Sequence, residues 1–128
     1  MKESCIPLTA PQLASARKSL EVLQREPERV ATLRHNSERF VAGLRQAGYR
    51  IPNTQSPIVP ILFKDEAHTL KVTRRCREDG LFVVPVIYPA VPMNAPRIRA
   101  LVMASHTDED IDFALRVFAH VGREVGAV

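Results

Sequence analysis

The chain has no tryptophan, two tyrosines, five phenylalanines, five glycines and two cysteines among its 128 residues. Each scarcity excludes a class of protein. So few aromatics offer no row of stacking platforms, and the basic residues alternate with acidic ones, as in KDEAHTLKVTRRCRED. The formal net charge of +4 and the pI near 9.5 therefore do not describe a nucleic-acid binder. Gly43, Gly48, Gly80, Gly122 and Gly126 are scattered, so they build no phosphate-cradling loop and mostly suit helix ends instead. Cys5 and Cys76 match no metal spacing, and His35, His68, His106 and His120 show no ligand pattern such as HExxH, so no metal site is expected. The longest apolar stretch, Leu81 to Met93, is 13 residues interrupted by three prolines, against about 20 needed to span a bilayer. The opening MKESCIPLTA carries no apolar run of a signal peptide, and the reading is a reduced, cytoplasmic protein.

What is present is the composition of one globular domain, 45% hydrophobic and 25% charged, long enough to bury a core without a disulfide or metal. Thr9 and Gln12 can close a capping box, so a helix is expected from about Ala10, with Leu13, Ala16, Leu20 and Leu23 on one face and Pro27 stopping it near Glu26. A second helix is expected from Glu28 to Ala47. It would carry Val30, Leu33, Phe40 and Leu44 on one face and be ended by Gly48. Tyr49 to Ile51 reads as a short strand, and the polar residues near 53 to 56 as a joint.

Beyond the joint the pattern changes. Ser56 to Phe63 reads as a strand, Asp65 to Asp79 as a helix closed by Gly80, Leu81 to Tyr88 as a strand, Pro89 to Pro96 as a loop and Arg97 to Met103 as a strand. A last helix starts at a Thr107/Asp110 cap, with Ile111, Ala114, Leu115, Phe118 and Val121 as its apolar face. The fold class is α/β (α+β): two leading helices, then a βαββα two-layer sandwich on a small, mainly antiparallel sheet.

Alternation along the last strand puts Arg97, Arg99, Leu101 and Met103 on one face and Ile98, Ala100 and Val102 on the other, with both faces expected to be partly buried. An arginine cannot shed its charge, and its planar fork suits a carboxylate; the nearest acids in sequence are Asp108 and Glu109. From spacing alone, the favoured reading is that these arginines sit at a strand start, where they reach water or pair with an acid and do nothing else. His106 reads as a loop hydrogen-bonder, and Asp65, Glu66 and Asp108 to Asp110 as acidic first turns of helices.

The blocks SPIVPILFKDE, REDGLFVVPVIYPAVP and PRIRALVMASHTDEDIDFAL, in this order and spacing, resemble the C-terminal domain of the α-oxoamine synthases. These are pyridoxal-phosphate-dependent (PLP) acyl-CoA:amino acid C-acyltransferases of fold type I. The leading REPERVATLRHNSERFVAGLRQAGY is similar to the family's connection between large and small domains. The resemblance thus divides the chain into a helical segment, 1–52, and a small C-terminal α/β domain, 53–128. It implies that Arg99, the second arginine of the R-x-R pair, binds the carboxylate of the amino acid substrate, and that a complete enzyme uses PLP and acyl-CoA as a homodimer.

The family's Schiff-base lysine, the aspartate at the pyridine nitrogen and the histidine over the ring all lie in a preceding PLP domain. None of Lys2, Lys18, Lys64 or Lys71 sits in the lysine motif, and no phosphate role is carried onto Ser4 or Thr9. The resemblance therefore implies a lobe that is incomplete without that domain. The rival expectations are a standalone module that binds a carboxylate without chemistry and an inactive remnant.

Overall fold

The computed structural model describes residues 8–128. Its elements are α1 (Ala10–Arg25), α2 (Glu28–Gln46), β1 (Ile58–Leu62), α3 (Glu66–Glu78), β2 (Val84–Val86), β3 (Arg97–Leu101) and α4 (Asp108–Val125). This is the expected order: two helices followed by βαββα. The strands form an antiparallel sheet in the order β1-β3-β2, with α2, α3 and α4 packed on one side in a single hydrophobic core.

Local chemistry sets the helix limits. At α1 the Thr9 backbone N–H donates to Gln12 Oε1 at 2.8 Å, closing the capping box, and the helix ends at Arg25, two residues before Pro27. Among the described residues the apolar stripe of α1 has nothing to pack on: Leu13, Leu20 and Leu23 are all exposed, and the helix buries no residue. In α2 the stripe does its expected work through Phe40 and Leu44, while Val30 stays exposed. Asp65 caps α3 by accepting from the His68 N–H at 2.8 Å. Thr107 caps α4, with Asp110 closing the box.

Several strand expectations are corrected. The short strand at 49–51 is a single bridge, Arg50 to Leu62. The strand expected over Ser56 to Phe63 is the shorter β1. The run Leu81 to Tyr88 pairs only over Val84–Val86, because β3 receives it only between Arg97 and Arg99. Upstream, the Leu81 N–H donates instead to the Cys76 carbonyl at 2.7 Å and finishes the turn after α3. Pro85 and Pro89 supply no donors to a longer ladder. β3 ends at Leu101 rather than Met103, since the Met103 N–H turns to the His106 imidazole.

The glycines divide by task. Gly48 (φ +97°) and Gly80 (φ +86°) end helices in the left-handed region, as expected. Gly43 and Gly122 are inside helices, not at their ends. A Cβ on Gly122 would lie 2.5 Å from the Tyr49 hydroxyl, and one on Gly43 2.5 Å from a methyl of Leu115. Gly122 is needed for close packing, which places the buried Tyr49 hydroxyl to donate to the Phe118 carbonyl at 2.8 Å, whereas the contact at Gly43 is with the flexible tip of Leu115.

Candidate functional site

Register fixes the two faces of the sheet. Val59 and Ala100 face each other, as do Ile61 and Ile98, and all four are buried under the helices. On the opposite face Ile58 pairs with Leu101, Pro60 with Arg99 and Leu62 with Arg97, while Val84 flanks Arg99 from β2. That face is open: Leu101 is 59% exposed against 0% for Ile98. The expectation that both faces are partly buried is therefore wrong, because helices cover only one of them.

Arg99 lies in this open face and lines a cleft of about 700 Å³. The cleft walls are mostly apolar, including Phe82, Leu101, Met103 and Phe113. Among the described residues, Arg99 has no ion pair and no side-chain hydrogen bond. The acids nearest in sequence do not reach it. Asp108 is bound by Arg39 Nη1 at 2.6 Å, and the other Arg39 nitrogen, Nη2, holds Asp112 at 2.6 Å, so a single α2 guanidinium clamps the first turns of α4. Arg97 on the same face turns its Nε to the Ala95 carbonyl at 3.1 Å. A guanidinium among apolar walls with no internal counter-ion is poised for an external anion, and its fork matches a carboxylate.

The turn that brings Met103 and His106 to the cleft is held by a residue that sequence reasoning missed. Asn36 on α2 is 3% exposed, and its Nδ2 donates to the carbonyls of Met103 at 3.2 Å and His106 at 2.9 Å. The turn from 103 to 106 is closed twice more. The His106 N–H donates to the Met103 carbonyl at 3.2 Å, and the Met103 N–H donates to His106 Nδ1 at 3.2 Å. The signal was there: position 36 lies three residues after Leu33 and four before Phe40, so an asparagine on an apolar stripe marks a buried polar clasp. His106 is indeed a loop hydrogen-bonder, and it also lines the cleft.

The other titratable groups serve structure. The Asp110 carboxyl is held below the usual range by the Thr107 N–H and hydroxyl, and Asp65 by the His68 N–H and ring. Burial pushes the Cys76 thiol up to about 12, with Asp79 adding to the effect. Lys18, Lys64 and Lys71 do not line the cleft, and Lys2, Ser4 and Cys5 lie outside the described residues. The Thr9 hydroxyl is engaged with Gln12 at 3.1 Å. The residues around Arg99 thus fit a carboxylate but provide no amine that could anchor an aldehyde cofactor.

The chain belongs to the aminotransferase class I and II family, whose profile matches residues 4–118. Among curated relatives, the 8-amino-7-oxononanoate synthase of Symbiobacterium thermophilum is 36% identical over 115 residues, covering 90% of this chain and 29% of its own length. The 8-amino-7-oxononanoate synthase/2-amino-3-ketobutyrate coenzyme A ligase of Thermus thermophilus is 37% identical over 110 residues, covering 86% and 28%. In three dimensions the chain is similar to serine palmitoyltransferase from Sphingomonas wittichii, with a TM-score of 0.86 at 30% identity, covering 98% of this chain and 32% of that one. A high-resolution structure of SPT with PLP also gives 0.86, at 28% identity, covering 91% and 30%. The fold is therefore that of part of a PLP enzyme, and PLP is the cofactor of the family. The chain spans about three tenths of the length of the relatives it matches.

Proposed function

We propose that this chain is the C-terminal lobe of a PLP-dependent acyl-CoA:amino acid C-acyltransferase, in which Arg99 grips the substrate carboxylate. The observation that carries the proposal is Arg99 itself, a guanidinium without a partner among the described residues on the uncovered face of the sheet. In this reading the open face is the one turned to the PLP domain, residues 1–52 form the connection to that domain, and the complete enzyme is a cytoplasmic homodimer.

The lobe's contribution is positional. β1 and β2 hold β3 from both sides at Arg99, through Pro60 and Val84, so the guanidinium springs from a fixed backbone. Apolar neighbours lower the local dielectric and strengthen its bond to a carboxylate. A charged hydrogen-bonded pair of this kind contributes about 1.5–3 kcal/mol. In the full-length enzyme, Arg99→Ala is therefore expected to raise the KM for the amino acid by roughly 10- to 100-fold and leave the KM for acyl-CoA alone, with partial recovery in Arg99→Lys. An unchanged amino acid KM in Arg99→Ala contradicts the assignment.

A further inference from the structure

The backbone fixes which nitrogen of the His106 ring accepts a hydrogen bond. Its Nδ1 accepts the Met103 N–H, so that nitrogen carries a lone pair, and the proton of the neutral ring is on Nε2. The main chain that carries the ring is clasped as well: the His106 carbonyl receives the buried Asn36 amide, and the His106 N–H returns to Met103. Among the described residues Nε2 has no hydrogen-bond partner, and His106 lines the same cleft as Arg99.

Three residues with polar side chains line this cleft: Arg99, His106 and Asp110. Asp110 is consumed by its bonds to the Thr107 N–H at 2.8 Å and hydroxyl at 2.9 Å. Two donors remain, a cationic one and a neutral one. Leu101, on the same sheet face as Arg99, and Met103, two residues past the end of β3, also line the cleft.

We infer that His106 is a second substrate-contact residue, whose Nε2–H binds a neutral oxygen of the acyl donor, and that Asn36 is its positioning residue. The inference rests on the reading of Arg99 as the carboxylate grip. A charged carboxylate takes the guanidinium, whereas a neutral N–H at the end of an apolar run selects an uncharged acceptor such as a carbonyl. The acyl donor is the substrate with both the apolar length and such an oxygen.

Two variants of the full-length enzyme separate the ring's two nitrogens. His106→Asn keeps an oxygen where Nδ1 accepts from Met103 and removes the Nε2 donor; His106→Gln does the reverse. Steady-state kinetics with serine, alanine or glycine, against palmitoyl-CoA or acetyl-CoA, use whichever pair turns over fastest. His106→Asn is expected to melt within about 2 °C of the parent and to raise the KM for acyl-CoA roughly fivefold, the effect of one neutral hydrogen bond, with the amino acid KM unchanged. His106→Gln is expected to melt lower but to keep the acyl-CoA KM. Asn36→Ala is expected to raise the acyl-CoA KM as His106→Asn does.

An unchanged acyl-CoA KM in His106→Asn overturns the inference, and a large fall in its melting temperature overturns the Nδ1 assignment beneath it. Should Arg99→Ala keep a normal amino acid KM, or no pair turn over at all, the reading of the lobe falls first and this inference with it.

Discussion

Replacing Asn36 by alanine tests how far one buried side chain holds the site together. The amide makes two bonds, to the carbonyls of Met103 and His106, and is 3% exposed. After truncation the Met103 carbonyl still receives the His106 N–H, but the His106 carbonyl has no other donor among the described residues. The cost is one lost hydrogen bond together with one partly buried carbonyl left unsatisfied, about 2 kcal/mol. For a chain of 128 residues that corresponds to a fall in Tm of about 7 °C. Thermal unfolding of the full chain, followed by circular dichroism, measures it. Asn36→Asp is expected to be worse at neutral pH, because a carboxylate then faces two carbonyl oxygens; its deficit narrows in acid, where the protonated carboxyl donates again. A Tm for Asn36→Ala within 2 °C of the parent would refute the clasp.

Further outcomes follow from the packing and the charges. Gly122→Ala displaces the Tyr49 hydroxyl from its bond to Phe118 and is expected to cost about 2 kcal/mol. Gly43→Ala moves only the tip of Leu115 and gains helix propensity, so it is expected to be near neutral; equal losses in urea titrations of the two would contradict this. Cys76 is buried with its thiol near 12, so in a Cys5→Ser variant at pH 8 roughly one thiol in ten thousand is ionised. Labelling by iodoacetamide is then expected only after unfolding, and prompt labelling of the native chain would count against the packing. Asp65 and Asp110 have lowered folded pKa values, so their contribution is complete above the ordinary carboxylate range and is lost as pH falls through the lowered values. The urea midpoint is expected to drop between about pH 4 and pH 2, less steeply in Asp110→Asn; identical slopes would argue against the cap.

The legible parts of this fold are those with local causes. The capping boxes at Thr9 and Thr107, the stop at Pro27 and the left-handed turns at Gly48 and Gly80 all act within four residues, and each lies where the sequence places it. Strand limits depend on partners. Leu81 to Val83 have the composition of a strand, yet they do not pair, because the β3 segment that receives β2 ends at Arg99. The apolar stripe of α1 shows the converse: its period forms the helix, but burial needs a neighbour. At the site, the face that carries Arg99 was readable from alternation, and its openness was not, since nothing in β3 states which face the helices take. The Arg39 clamp joins residues 69 and 73 positions apart, and no local pattern announces it.

The central claim is that Arg99 works inside a larger enzyme whose other lobe closes the open face of the sheet. An immunoblot of source cells with an antibody raised against this chain measures the native polypeptide directly. The expected result is a band roughly three times heavier than 14.3 kDa, as the length of the relatives requires. A band at 14.3 kDa alone would contradict the claim.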